Sequence, residues 1–128
     1  MRPVLVDTDV LINFLRGKLQ AKEFLLTQLS NSVPILCSVI TVAEIFAGMR
    51  PHELEKTGAL LDNLEIIPVT RDIAEKAGHY KQSIKSHSLE LDDCFIAATA
   101  HIHKAALATG NIKHYPMEEI EKNAVACE

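Results

Sequence analysis

Val4-Leu5-Val6-Asp7-Thr8-Asp9-Val10-Leu11-Ile12 sets two carboxylates between two apolar runs. Val4 to Val6 is a short β-rich run that stops at Asp7, as a buried strand stops at its polar carboxyl edge. Val10 to Leu15 reads as a short helix closed by Gly17. An acid placed between such a strand and helix can hold a divalent cation, because backbone donors and helix termini converge at that edge of a sheet. The structural alternative is that Asp9 caps the helix and Asp7 is a polar strand end.

Outward from this stretch, apolar residues at Leu19, Phe24, Leu25, Leu26 and Leu29 predict a second helix over 18–29, punctuated by Ser30-Asn31-Ser32. A strand is expected over 35–39, then helices from about 42 to 49 and 53 to 64, separated by Pro51. Ile66 to Val69 reads as a third strand. Thr70 can cap a helix running to about Ser86, and after a break at His87 to Glu90 another helix covers about 91–103. Ala106 to Ala108 is the fourth strand candidate, residues 111–116 a loop, 117–121 a turn of helix, and 124–127 a weak edge strand. Short strands alternating with longer helices predict an α/β fold, a central parallel sheet with helices on both faces. Ligands in such folds collect beyond the carboxyl ends of the strands.

At 128 residues and 48% hydrophobic the chain suits one core and one domain over residues 1–128. A net charge of -4 and a pI near 5.8 argue against a broad basic surface for nucleic acid, leaving room for a local basic rim. Cys37, Cys94 and Cys127 are odd in number, widely spaced and without a C-x-x-C, so neither a disulfide framework nor a cysteine zinc site is indicated and a reducing cytoplasm fits. Asp7 and Asp9 interrupt the apolar start, which argues against a signal-peptide core or a membrane span.

Three further segments carry candidate chemistry. In Thr41-Val42-Ala43-Glu44-Ile45-Phe46-Ala47-Gly48 the Thr41–Glu44 spacing is that of a capping box. A carboxylate among such apolar neighbours can equally face the edge that holds Asp7, where burial without a cation or hydrogen-bond partner is costly. Leu91-Asp92-Asp93-Cys94-Phe95-Ile96-Ala97-Ala98-Thr99-Ala100 starts a helix with two acids, which the helix dipole alone accounts for. Its alanines also permit close approach to the sheet edge. Ala108-Thr109-Gly110-Asn111 is an ordinary strand exit, or a turn whose polar side chains hydrogen-bond near a bound ion.

Together and in this order, Val6-Asp7-Thr8-Asp9-Val10-Leu11-Ile12, Val42-Ala43-Glu44-Ile45-Phe46-Ala47-Gly48, Asp93-Cys94-Phe95-Ile96-Ala97-Ala98-Thr99-Ala100 and Leu107-Ala108-Thr109-Gly110-Asn111 resemble the PIN-domain nucleases, and among them the VapC-type toxins. The resemblance covers nearly the whole chain. It implies a three-layer α/β/α PIN-like fold, Mg2+ or Mn2+ as cofactor, endoribonuclease activity on an RNA substrate, a cognate antitoxin partner and a homodimer. Asp7, Glu44 and Asp93 match the family's core carboxylates, with Asp7 and Asp93 as metal ligands. Asn111 falls where many relatives carry a fourth acid; the amide removes one negative charge, which bears on a second ion and not on the first. Asp92 is the alternative to Asp93, and Asp9 reads as a cap or a supporting group.

Arg16, Lys18, Arg50, Lys104 and Lys113 flank these segments and are candidates for phosphate contacts or simply solvated charges. His101 and His103 are two apart on a predicted helix and do not share a face, which argues against a histidine site. His114 lies near Asn111. Two other functions fit parts of the pattern. One is a haloacid-dehalogenase-like phosphatase, with Asp7 as nucleophile and Asp9 as acid/base; the other is a non-catalytic PIN-fold binding module.

Overall fold

Strand β1 (Val4–Val6) is buried on both faces and lies at the centre of a five-stranded parallel sheet of order β3-β2-β1-β4-β5. The computed structural model describes residues 2–85 and 88–126. The other strands are β2 (Ile35–Ser38), β3 (Glu65–Ile67), β4 (Ala106–Thr109) and β5 (Lys122–Ala124). β1 pairs Leu5 with Leu36 of β2 on one side and with Leu107 of β4 on the other. The chain therefore winds one way from β1 to β3, crosses back, and resumes at β4. That reversal of strand order beside β1 makes a crevice at the carboxyl edge, with Asp7 at its centre.

The strands read as continuous apolar runs, yet their side chains divide by the two-residue period of a pleated strand. Leu5, Leu36, Ile67 and Leu107 pack under helices α5 (Arg71–Ser83) and α6 (Leu91–Ile102). Val4, Val6, Ile35, Cys37 and Ala108 pack on the opposite face with Val10 and Leu11 of α1 (Thr8–Leu15), Ala21 and Leu25 of α2 (Leu19–Ser30), and Ile45 of α3 (Val39–Gly48). Leu60 and Leu61 of α4 (Leu54–Asp62) close that layer. The expected three-layer α/β/α arrangement is thus present.

Several boundaries differ from the expected ones for local reasons. α1 starts at Thr8 because the Asp7 carboxylate accepts the Thr8 N–H at 2.8 Å, so Asp7 rather than Asp9 is the cap. α3 starts at Val39, where the Ser38 hydroxyl accepts the Ile40 N–H at 3.1 Å. Thr41 and Glu44 consequently lie inside the helix and form no capping box. α5 ends at Ser83; Ser86 and His87 lie outside the described residues. Residues 117–121 form turns without a helix, and the last strand is Lys122–Ala124 instead of 124–127. Cys37 and Cys94 are buried free thiols, and Cys127 lies outside the described residues. No helix among the described residues is long and apolar enough to cross a membrane.

Candidate functional site

Asp7 occupies the first position beyond β1, where its backbone N–H still donates to Ala108 O at 2.9 Å. Sheet pairing fixes its backbone, and two donors fix its side chain. Oδ1 accepts from Thr8 N at 2.8 Å and Oδ2 from the Thr109 hydroxyl at 2.8 Å, leaving the residue 6% exposed. Asp9, two residues further on and inside α1, turns its carboxylate to the Gly110 N–H at 3.1 Å, joining α1 to the exit of β4.

Glu44 comes to the same place from α3. Its Oε1 accepts the Thr8 hydroxyl at 2.5 Å, and that hydroxyl lies 3.0 Å from the Thr41 hydroxyl. Asp93 arrives from the first turn of α6, a helix whose buried Ala97, Ala98 and Ala100 leave little bulk between it and its neighbours. The Tyr115 hydroxyl donates to Asp93 Oδ1 at 3.3 Å, and His114 Nδ1 stands 3.5 Å from Oδ2. Asn111 completes this side, with its amide nitrogen 2.9 Å from His114 Nε2. Asp7, Thr8, Asp9, Ile12, Glu44, Asp93, Asn111 and His114 line one cavity of about 270 Å³.

Charge is crowded here. Burial, then the neighbouring Asp7 carboxylate, holds both Asp9 and Asp93 above the ordinary aspartate value, with His114 partly offsetting each. Glu44 is also raised, first by burial and then by Asp92 beside it, while the Thr8 hydroxyl pulls the other way. Among the described residues, no three Asp, Glu, His or Cys side chains already close on one point. The carboxylates instead ring the cavity. An all-oxygen, anionic donor set with Asn111 at its rim suits a hard divalent cation such as Mg2+ or Mn2+ and not a soft metal.

Residues 4–119 match the family described as PIN domain. The chain belongs to the PIN-domain family. A curated relative, Ribonuclease VapC10 of Mycobacterium tuberculosis, is 39% identical over 91% of this chain and 88% of its own length. A chain of a toxin–antitoxin complex from Klebsiella pneumoniae superposes with a TM-score of 0.76 at 30% identity, covering 91% of this chain and 94% of that one. VapBC2 from Rickettsia felis, bound to a DNA fragment from its promoter, shares the fold, with a TM-score of 0.81 at 19% identity over 94% and 97% of the two chains. With the PIN family established, the phosphatase-like reading of Asp7 and Asp9 is set aside.

Within this PIN domain all four candidate residues, Asp7, Glu44, Asp93 and Asn111, meet at one cavity although they come from distant segments. Asp92 does not line it; from an exposed position it approaches Glu44 instead. Asp9 lines the cavity directly and is no helix cap. Thr109, a hydroxyl candidate to partner the carboxylates, does so by donating to Asp7, and it accepts the Asn111 N–H at 3.0 Å.

Of the candidate basic rim, Lys113 is exposed in the turn beside Asn111 and His114. Lys104 lies ahead of β4, at the amino end of the strands and away from the carboxylates. Arg16 lines a separate apolar cleft with Ile12, Leu15, Ile45 and Met49. His101 faces Glu119, 3.6 Å away. Tyr115 is the site contact that the sequence did not announce: an aromatic after a loop histidine reads as core, and its ring is core, but its hydroxyl reaches Asp93.

Proposed function

We propose that this chain is a metal-dependent endoribonuclease of the VapC type, the toxin of a toxin–antitoxin pair, with residues 1–128 forming one PIN domain. The observation that carries the reading is the gathering of Asp7, Asp9, Glu44 and Asp93 around one cavity at the strand-order reversal. The ribonuclease name of its curated relative and the antitoxin-bound state of its structural neighbours support the substrate class and the partner. The reading includes a homodimer and a cytoplasmic setting.

Asp7 and Asp93 would hold the ion, Mg2+ or Mn2+. Bound there, such an ion supplies an activated water and neutralises charge growing on the phosphate oxygens. Asp7 is suited to its part because Thr8 and Thr109 fix both of its oxygens. Glu44, oriented by the Thr8 hydroxyl, positions the attacking water or takes its proton. Asn111 offers a neutral amide to the phosphate, held beside His114. His114 moderates the charge on Asp93 when protonated.

Purified protein should cleave RNA in Mg2+ or Mn2+ and stop in EDTA. Undiminished cleavage in chelator, with contaminating nuclease excluded, removes the metal from the mechanism.

A further inference from the structure

Tyr115 presents a contradiction between its place and its chemistry. The side chain is fully buried in the core layer of α5 and α6, where a phenyl ring would pack as well, yet it carries a hydroxyl whose burial is costly unless the proton is used. The proton is used at the site. The hydroxyl donates to Asp93 Oδ1 at 3.3 Å. A phenol has one proton, and Asp93 receives it.

The backbone behind that donor is fixed on both sides. Tyr115 N–H donates to Ile112 O at 2.9 Å, closing the turn that follows Asn111. Lys122 Nζ, reaching back from β5, donates to Tyr115 O at 2.7 Å and to Met117 O at 3.1 Å. Core packing fixes the ring, the lysine clamp fixes the main chain, and the hydroxyl is thereby aimed at Asp93.

We propose that Tyr115 is a positioning residue of the carboxylate site, its hydroxyl holding Asp93 in the orientation toward Asp7 that a divalent cation requires. The inference rests on the reading of Asp7 and Asp93 as cation ligands. Partners that orient metal ligands from behind typically contribute roughly 10- to 100-fold to metal affinity. Tyr115 acts through the carboxylates and touches neither ion nor RNA.

The test compares Mn2+ binding, followed by electron paramagnetic resonance, in the wild-type chain, Tyr115→Phe and Asp93→Asn. Tyr115→Phe keeps the ring and removes the donor. It should weaken Mn2+ by roughly ten-fold or more, keep its circular dichroism, and recover cleavage when Mn2+ is raised. If Asp93→Asn loses Mn2+ while Tyr115→Phe binds as wild type does, the role of Tyr115 is wrong and the cation reading stands. If Asp93→Asn also binds as wild type does, both are wrong.

A second measurement needs no variant. The chain has two tyrosines and no tryptophan, and the other tyrosine, Tyr80, has its hydroxyl on Glu119. Adding Mn2+ to the wild-type protein should therefore give a tyrosine difference spectrum in the near ultraviolet, as the Asp93 carboxylate that accepts the Tyr115 hydroxyl takes up the ion. A spectrum that stays flat while Mn2+ binds overturns the inference even if Tyr115→Phe does not fold.

Discussion

The Thr109 hydroxyl donates to Asp7 Oδ2 at 2.8 Å across 102 positions of sequence. Both residues are buried, so the bond ties the exit of β4 to the exit of β1 in a place where water does not substitute for it. Thr109→Val keeps the shape of the side chain and removes the donor. The stranded carboxylate oxygen should cost about 1–3 kcal/mol, read as a lower denaturation midpoint in urea. A valine variant as stable as the parent would show that this bond contributes little.

Charge-neutral substitutions separate chemistry from folding. Asp7→Asn and Asp93→Asn should each abolish RNA cleavage and remain folded, and the metal-free Asp93→Asn protein should melt no lower than wild type because a repulsion with Asp7 is gone. Asp92→Asn, altering an exposed group beside Glu44 and outside the cavity, should keep substantial activity. Cleavage assays paired with circular dichroism check all three. Loss of activity at Asp92 with retention at Asp93 would reverse the assignment of the helix face.

The pH dependence of stability has a definite sign. Asp9, Asp93 and Glu44 stand above their ordinary values of 3.8, 3.8 and 4.5, chiefly through burial. Acids with raised folded pKa values bind protons more tightly when folded, so their contribution favours the folded state at low pH and declines as pH rises through the raised values. In EDTA these groups should lower the melting midpoint from weakly acid toward neutral pH. Mg2+ or Mn2+ should offset that fall, so the midpoint difference with and without ion grows with pH. A difference that stays constant across the interval counts against carboxylate binding of the ion.

How much was legible in the sequence varied with the range of the interaction. β1, Asp7 and the placement of Asp93 in the first turn of α6 follow from local pattern, since strand ends and helix starts are written in adjacent residues. The start of α3 did not, because two capping signals overlap at Ser38 and Thr41 and only packing chooses the earlier one. The cluster itself was legible through the family resemblance and not through spacing. Tyr115 was missed as the donor behind Asp93, and Asp9 as a cavity contact, for one reason: their partners, Asp93 and Gly110, are distant in sequence, and no local period marks such pairs.

Product chemistry discriminates among nucleases. Attack by water from outside leaves the 2′-hydroxyl without a chemical part, whereas a metal-free histidine mechanism passes through a cyclic phosphate. Fragments should therefore carry 5′-phosphate and 3′-hydroxyl ends, and a single 2′-deoxynucleotide at the scissile position should still be cut. Mass spectrometry reads both. A 2′,3′-cyclic phosphate as primary product would overturn the carboxylate mechanism.

The strand order has a consequence for truncated chains. Because β1 lies between β2 and β4, its carboxyl edge is walled on both sides only once β4 has joined it. Pairings so far apart in sequence form late in folding. Residues 1–105 hold Asp7, Glu44 and Asp93 but not β4, Thr109 or Tyr115, which fix two of those acids. A chain cut short ahead of β4 thus carries these acids without an assembled site.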